Sequence, residues 1–357
     1  MLSAMTAPSW DDLGGWATVL GSLTQRSDLP RSTAAAAMGE ILDGNATPAQ
    51  IAGFIVALRM KGETSEELTG MVGAMLDRAT QVVLAEPDGV IDIVGTGGDG
   101  SGSINVSTLA ALTIVGAGGR VCKHGNRAAS SMCGTADLLE VLGVAIELGP
   151  EGVARCVAEA GMGFCLAPRY HSAMRFAGPV RREMGIPTVF NFIGPLANPA
   201  RVKRQVTGVS DKAMAQRMID VLASNGSERA LVVYGHDGLD ELTITTSSTV
   251  HELRDGEVRT YDLFPAALGL AGGTLDDLRG GDPQTNARLA HEILGGATGP
   301  KADIVALNAA AGLLAGGLVD DFPSGIAAAR ASLSEGKAAA ALDRLVAVSQ
   351  SAAADEA

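Results

Sequence analysis

From Trp10 to about Thr80 the apolar positions recur three and four residues apart, which puts one apolar stripe on each of a series of helices. Polar punctuation marks their ends. Thr47 before Pro48 reads as N-cap and first helical residue of the run AQIAGFIVALRMK, which Gly62 closes. Thr64 and Glu67 form a capping box for the next helix, which carries Leu68, Met71, Val72 and Met75. Such stripes must be covered, either by each other or by another chain.

After Pro87 the pattern changes to short apolar runs that end in glycine and alternate with helical stretches. Strands are predicted at Val90 to Val94, Arg120 to Cys122, Phe164 to Leu166, Gln205 to Val209 and Ala230 to Tyr234. Between them, helices are predicted at Ser107 to Val115, Thr135 to Leu142, Pro150 to Ala160, Ser172 to Met184 and Lys212 to Ala223. This alternation implies a mostly parallel sheet covered by helices. Leu242 to Leu253 and Glu257 to Leu263, richer in β-branched residues, read as an antiparallel hairpin near an edge. Helices return from Asn286. The fold class is therefore α/β, with a small N-terminal α-helical domain (1–85, some later helices packing on it) and a large α/β domain with a mostly parallel central sheet (86–349). The Ala-rich tail, 350–357, is expected to be disordered.

Composition narrows the function. At 357 residues and 46% hydrophobic, the chain can bury a full core without staples. Its four cysteines show neither a CxxC pair nor metal-ligand spacing, and no secretory or transit segment is read before Trp10, so a cytoplasmic protein is expected. No apolar run approaches the roughly 20 residues of a membrane span. A net charge of −13 argues against a nucleic-acid binder, which needs a positive field. Yet between Arg120 and Arg204 eleven Lys and Arg stand against six Asp and Glu, a local excess of five positives. That excess suits a small, highly anionic ligand. Glycine, 46 of 357 residues and clustered, brings backbone close to something.

Four segments carry the chemistry. In IDIVGTGGDGSGSINVST, Ile91 to Thr108, consecutive glycines between strand and helix let main-chain N–H groups converge on a phosphate at a helix N-terminus. The segment also matches GxGxxG, but Asp99 sits where a dinucleotide's pyrophosphate would lie, and the usual ribose-binding acid is missing about 20 residues onward. In VCKHGNRAASSMCGTAD, Val121 to Asp137, Lys123 and Arg127 supply cationic donors and Ser130 and Ser131 hydroxyls at a strand's carboxyl end. APRYHSAMRFAGPVRR, Ala167 to Arg182, sets His171, Arg175, Arg181 and Arg182 on or beside one helix, where a guanidinium fork could hold a carboxylate. In GHDGLDELT, Gly235 to Thr243, the adjacent acids Asp240 and Glu241 suit a hard divalent cation that also touches phosphate oxygens.

TPAQIAGFIVALRMKGET, GTGGD, NVST, KHGNRAASS, VRREMGIPTVFNFIGPLANP and DGLDE, in this order along a stretch from about Asp12 to Leu345, resemble the anthranilate phosphoribosyltransferase family. The resemblance implies transfer of the phosphoribosyl group of phosphoribosyl pyrophosphate (PRPP) to anthranilate, the second step of tryptophan biosynthesis, by a magnesium-dependent pentosyltransferase with one or two ions per subunit. PRPP would be contacted by Gly95, Gly98, Asp99, Ser103, Asn105, Val106, Ser107 and Thr108, and by Lys123, His124, Gly125, Asn126, Arg127, Ala128, Ala129, Ser130, Ser131 and Thr135. Ser107, Asp240 and Glu241 would hold magnesium. Gly95, Asn126, Arg181 and His171 would contact anthranilate, with His124 as an orienting group. Met174 stands where some family members carry Tyr in the substrate channel. The family usually dimerises through its helical part. Pyrimidine nucleoside phosphorylases resemble the same fold, but the DGLDE and VRRE segments favour the transferase. A nucleic-acid module on this fold would be expected to lose the acidic pair and show a basic surface.

Overall fold

The structure, a computed structural model, describes residues 10–128 and 131–357. Four helices come first: α1 (Gly15–Thr24), α2 (Arg31–Leu42), α3 (Pro48–Lys61) and α4 (Ser65–Arg78). The caps lie where polar punctuation places them. Thr64 accepts from the Glu67 amide at 3.3 Å while the Glu67 carboxylate accepts from the Thr64 amide at 2.9 Å. Thr47 and Gln50 make a second reciprocal box at the start of α3.

The larger part begins with β1 (Val90–Gly95), α5 (Val106–Gly116), β2 (Arg120–Gly125), α6 (Thr135–Val141), α7 (Pro150–Ala160) and β3 (Met162–Leu166). Short pieces follow: α8 (Ala167–Tyr170), a 3-10 turn over Ser172–Arg175, α9 (Gly178–Met184) and α10 (Phe190–Ile193). The single helix expected over Ser172 to Met184 is thus broken, because Gly178–Pro179 cannot continue the preceding turn and Pro179 opens α9. Then come β4 (Arg204–Gly208), α11 (Lys212–Ser224), β5 (Arg229–Gly235), β6 (Ser248–Arg254) and β7 (Glu257–Leu263). Leu242 to Ser247 does not extend the hairpin; it is held as a loop by side chains described below. The chain ends in α12 (Pro283–Leu294), α13 (Pro300–Gly316), α14 (Phe322–Ser334) and α15 (Lys337–Glu356).

The seven strands are ordered β3-β2-β1-β4-β5-β6-β7, parallel from β3 to β5 and antiparallel thereafter. The chain steps from β1 outward to β3, then returns to place β4 on the other side of β1. That reversal opens a crevice at the carboxyl ends of β1 and β4, where doubly wound sheets bind ligands. Alternate residues of β5 feed two cores: Leu231 and Val233 join the cluster with α5 and α13, whereas Ala230, Val232 and Tyr234 join the one shared with α1 to α4 and α11. The helical bundle is therefore packed on one face of the sheet through α11. On the other face α13 is buried along nearly its whole length.

The expectation of a disordered tail at 350–357 is corrected. α15 runs unbroken to Glu356, Ala352 is buried, and both Glu356 carboxylate oxygens accept from the Gly149 amide, at 3.0 and 2.8 Å. Alanine content there gives helix propensity, and the cap it supplies to α7 holds the end down. No helix among the described residues is long and apolar enough to cross a membrane.

Candidate active site

A cleft of about 780 Å³ opens over the switch point. It is lined by the glycine loop after β1, the polar loop after β2, the α9 arginines and the acidic pair after β5. These are the four segments singled out in the sequence, separated by up to 143 residues and brought to one sheet edge.

The glycine loop is a run of left-handed backbone, with φ of 68° at Gly97, 79° at Gly98 and 69° at Gly100, which only glycine adopts without strain. Gly97 donates its amide to the Asp240 carboxylate at 2.7 Å. Gly95 and Gly208, paired across β1 and β4, have no room for a side chain because Asp240 packs against both. The acidic loop thus rests on glycine backbone.

Behind it, β2 delivers Lys123, whose side chain is fully buried and donates to the Ile93 carbonyl and, at 3.2 Å, to Ser107 Oγ. Burial pulls its pKa down, opposed by Asp92, Glu241 and Asp240. Asp92, wholly buried in β1, is pushed up to about 6 by loss of solvent, against the pull of Lys123. It accepts from the His124 amide at 3.1 Å and from Asn198 Nδ2 at 2.8 Å, and Asn198 also donates to the Cys122 carbonyl at 2.8 Å. His124 and His171 lie with ring centroids 5.1 Å apart. Burial holds both below the usual histidine range, most strongly His124, where His171 and Lys123 add repulsion. His171 Nε2 is 2.8 Å from the Ala197 carbonyl, whereas His124 Nε2 is buried without a partner. A neutral imidazole with an unpartnered nitrogen, on a residue that lines a cleft, can accept from or donate to a ligand.

Arg181 also lines the cleft, half-buried, its guanidinium 5.1 Å from the Phe190 ring and 3.5 Å from Asn191 Oδ1, with no carboxylate partner among the described residues. Desolvation lowers its pKa without neutralising it. Arg175 and Arg182 line the same cleft, as does Met174.

Several expected roles change on inspection. The acidic pair is set into the protein. Asp240 is 8% exposed and is pushed up to about 7 by burial and by Asp99 nearby, and Glu241 is raised well above its ordinary value by burial and by Asp240. Arg127 lines the cleft, but its guanidinium is taken by Glu140 at 2.8 Å and Asp137 at 3.2 Å. Thr108 is buried and faces Thr135 at 3.3 Å instead of open space. Asn105 has its amide engaged at both ends, with Asn286 and the Cys133 carbonyl. Gly95, Gly98, Asp99, Ser103, Val106, Ser107, Gly125, Asn126, Ala128, Ser131 and Thr135 all line the cleft. Ala129 and Ser130 lie outside the described residues.

Sequence reading missed the residues that hold these groups in place. Asn308, in the middle of α13, brackets the acidic loop by accepting from the Leu242 amide at 3.0 Å and donating to its carbonyl at 2.8 Å. Asp237 accepts from Thr243 at 2.6 Å and also from Thr245. Buried carboxylates crowded against one lysine fit a cation that neutralises them. Among the described residues no three His, Cys, Asp or Glu side chains converge into a cage. What is present, two adjacent carboxylates beside the phosphate-facing loop, suits a magnesium-like ion, which keeps water and substrate oxygens as ligands.

Fold and site together define a glycosyl transferase. Residues 17–79 match the glycosyl transferase family helical bundle domain, and residues 87–339 match its a/b domain. The chain is 52% identical to an anthranilate phosphoribosyltransferase of Rhodococcus jostii over 335 residues, 92% of each chain. It superposes on the crystal structure of the Thermus thermophilus anthranilate phosphoribosyltransferase with a TM-score of 0.88 at 42% identity, covering 93% of this chain and 99% of that one. The Saccharomyces cerevisiae enzyme in complex with PRPP and Mg gives 0.84 at 29% identity, covering 95% and 99%. The chain belongs to the anthranilate phosphoribosyltransferase family.

Proposed function

We propose that the protein transfers the 5-phosphoribosyl group of PRPP to the amine of anthranilate, giving N-(5-phosphoribosyl)anthranilate and pyrophosphate in the second step of tryptophan biosynthesis. The observation that carries this reading is the meeting, in one cleft, of a glycine-amide cradle, a buried lysine, an acidic pair and an arginine that has no carboxylate partner among the described residues. Each has a different part of the reaction to serve.

Loss of pyrophosphate from ribose C1 builds positive charge on the sugar and negative charge on the departing oxygens. The amides of Gly95 to Thr108 and the Lys123 ammonium face the latter, and preorganised donors of this kind act where charge develops. Arg181 takes the anthranilate carboxylate, so that the amine is presented to C1 opposite the leaving group. The aromatic amine is already neutral near pH 7, so no strong base is required. His124, kept neutral by burial, orients the amine's hydrogens through its free Nε2. Asp240, Glu241 and Ser107 would hold magnesium, one or two ions per subunit, which supplies charge neutralisation to the pyrophosphate. The enzyme works as a cytoplasmic homodimer joined through its N-terminal helices.

The test is direct. Purified protein with PRPP, anthranilate and magnesium should consume anthranilate and release pyrophosphate in equal amounts, and withholding magnesium should stop it. Phosphorolysis of a pyrimidine nucleoside, with no turnover of anthranilate, would overturn the assignment.

A further inference from the structure

We propose that Asn286 is a positioning residue that ties the two phosphate-facing loops together, so that PRPP meets a cradle already formed. The inference rests on the reading of those loops as the PRPP site. Asn286 lies in the first turn of α12, 181 residues beyond the glycine loop, and is 3% exposed. Its Nδ2 donates to Asn105 Oδ1 at 2.8 Å, and its Oδ1 accepts from the Gly281 amide at 2.8 Å. Asn105, the N-cap residue of α5, in turn donates Nδ2 to the Cys133 carbonyl in the second loop at 3.0 Å. One line of amides therefore joins Gly281, Asn286, Asn105 and Cys133.

The main chain beside this line is bound in the same way. Gly280 donates to the Gly102 carbonyl at 2.8 Å, Ile104 donates to the Leu278 carbonyl at 3.0 Å, and Ser103 bridges Arg279. Gly280 must be glycine at this contact, since a side chain there would press on Asn286 Oδ1 at 2.6 Å and on the Ser103 carbonyl at 3.0 Å. The segment from Leu278 to Asn286 is thus a strap laid along residues 102–105.

The physical need for a strap follows from the loop it holds. Gly97, Gly98, Gly100 and Gly102 all have positive φ, and glycines lose the most conformational freedom on ordering, on the order of 1–2 kcal/mol per residue of backbone. A ligand that must order such a loop spends binding energy on it. A brace already in place removes that cost. Asn286 makes no reaction step of its own; it acts through Asn105 and the loops that Asn105 joins.

Calorimetric titration of PRPP in the presence of magnesium tests this on the full chain. Asn286→Ala should weaken PRPP binding by about tenfold, the scale of one lost buried hydrogen bond. The Michaelis constant for anthranilate should stay within about twofold, and the thermal midpoint should fall by only a few degrees, roughly what one lost buried hydrogen bond costs, so that the variant is folded at the assay temperature. Because Asn105→Ala removes the same link, the double variant N105A/N286A should be no weaker than the weaker single variant. An unchanged PRPP affinity in folded N286A, an equal loss for both substrates, or simple addition of the two effects would each overturn the inference. If N286A does not fold, Asn286→Ser, which keeps a small polar residue there, is read by the same criteria. Failure of the parent protein to bind PRPP at all would instead overturn the reading of the site.

Discussion

The Asp240 carboxylate accepts the Gly97 amide hydrogen at 2.7 Å, so the acidic loop after β5 closes on the glycine loop after β1. The residue read as a magnesium ligand thus also shapes the phosphate cradle. Replacing Asp240 and Glu241 together by alanine should leave the fold intact, because two adjacent carboxylates that repel each other and Asp99 contribute little to stability. Turnover should fall by two orders of magnitude or more, and PRPP binding should lose its dependence on magnesium. Circular dichroism, a steady-state assay and calorimetry with and without magnesium check the three parts. Near-parental turnover with parental magnesium dependence would falsify the metal role of this pair.

Glu356 offers a contrasting case, a carboxylate that does not line the cleft and is expected to serve stability alone. It caps α7 through the Gly149 amide and lies 3.8 Å from Arg169. Glu356→Ala should cost about 1 kcal/mol, as the loss of a cap does, and lower the thermal midpoint by roughly 1–3 °C. Turnover should be unchanged. A midpoint equal to the parent's would show that the last turn of α15 is not held by this contact.

How much of this was legible in the sequence depended on how local the determining physics is. Capping boxes, the strand and helix alternation and the glycine loop are set by neighbours within a few residues, and β1, β2, α5 and α7 lie within a few residues of their expected limits. The four motif segments could be named because their chemistry is carried by residue type. The departures arise from contacts made across the chain. Arg127 reads as a free cation until Asp137 and Glu140 come round on α6 to take it. Asp240 reads as solvated because Gly95 and Gly208, which bury it, are 145 and 32 residues away. Asn308 and Asn286 sit in ordinary helical sequence, and only packing reveals that each spans a gap to a loop of the cleft.

Assembly is the next expectation to test. On α3, Val56 and Met60 are 37% and 73% exposed, and a spacing of four residues puts them on one face. Covering that face by two-fold pairing of the Trp10 to Thr80 helices is the common solution for a stripe of this kind. Light scattering should report a dimer at micromolar concentration, and Val56→Glu with Met60→Glu should convert it to monomer. The monomer should keep turnover, since one chain by itself supplies all four segments of the proposed site. A monomeric parent, or a double variant that remains dimeric, would remove this face from the interface.

Arg181 separates recognition of the acceptor from recognition of PRPP. Its guanidinium is stacked near Phe190, only weakly reached by Asn191, and half-buried, so it pays a desolvation cost that no protein carboxylate among its contacts with described residues offsets. A ligand carboxylate would offset it with two parallel charged hydrogen bonds. Arg181→Ala should therefore raise the Michaelis constant for anthranilate by about ten- to a hundredfold, the equivalent of roughly 1.5–3 kcal/mol for a charge-assisted bond. The PRPP constant should move little, because the cradle and Lys123 belong to the loops after β1 and β2 and make no contact with Arg181 among those described. Arg181→Lys should recover only part of the loss, since an ammonium keeps the charge but not the planar fork. Aniline, which lacks the carboxylate, gives the reciprocal measurement: it should be a poor substrate for the parent and no poorer for R181A. If the anthranilate constant stays put while that for PRPP rises, Arg181 belongs to the phosphate side, and Arg182 or Arg175 in the same cleft becomes the carboxylate ligand.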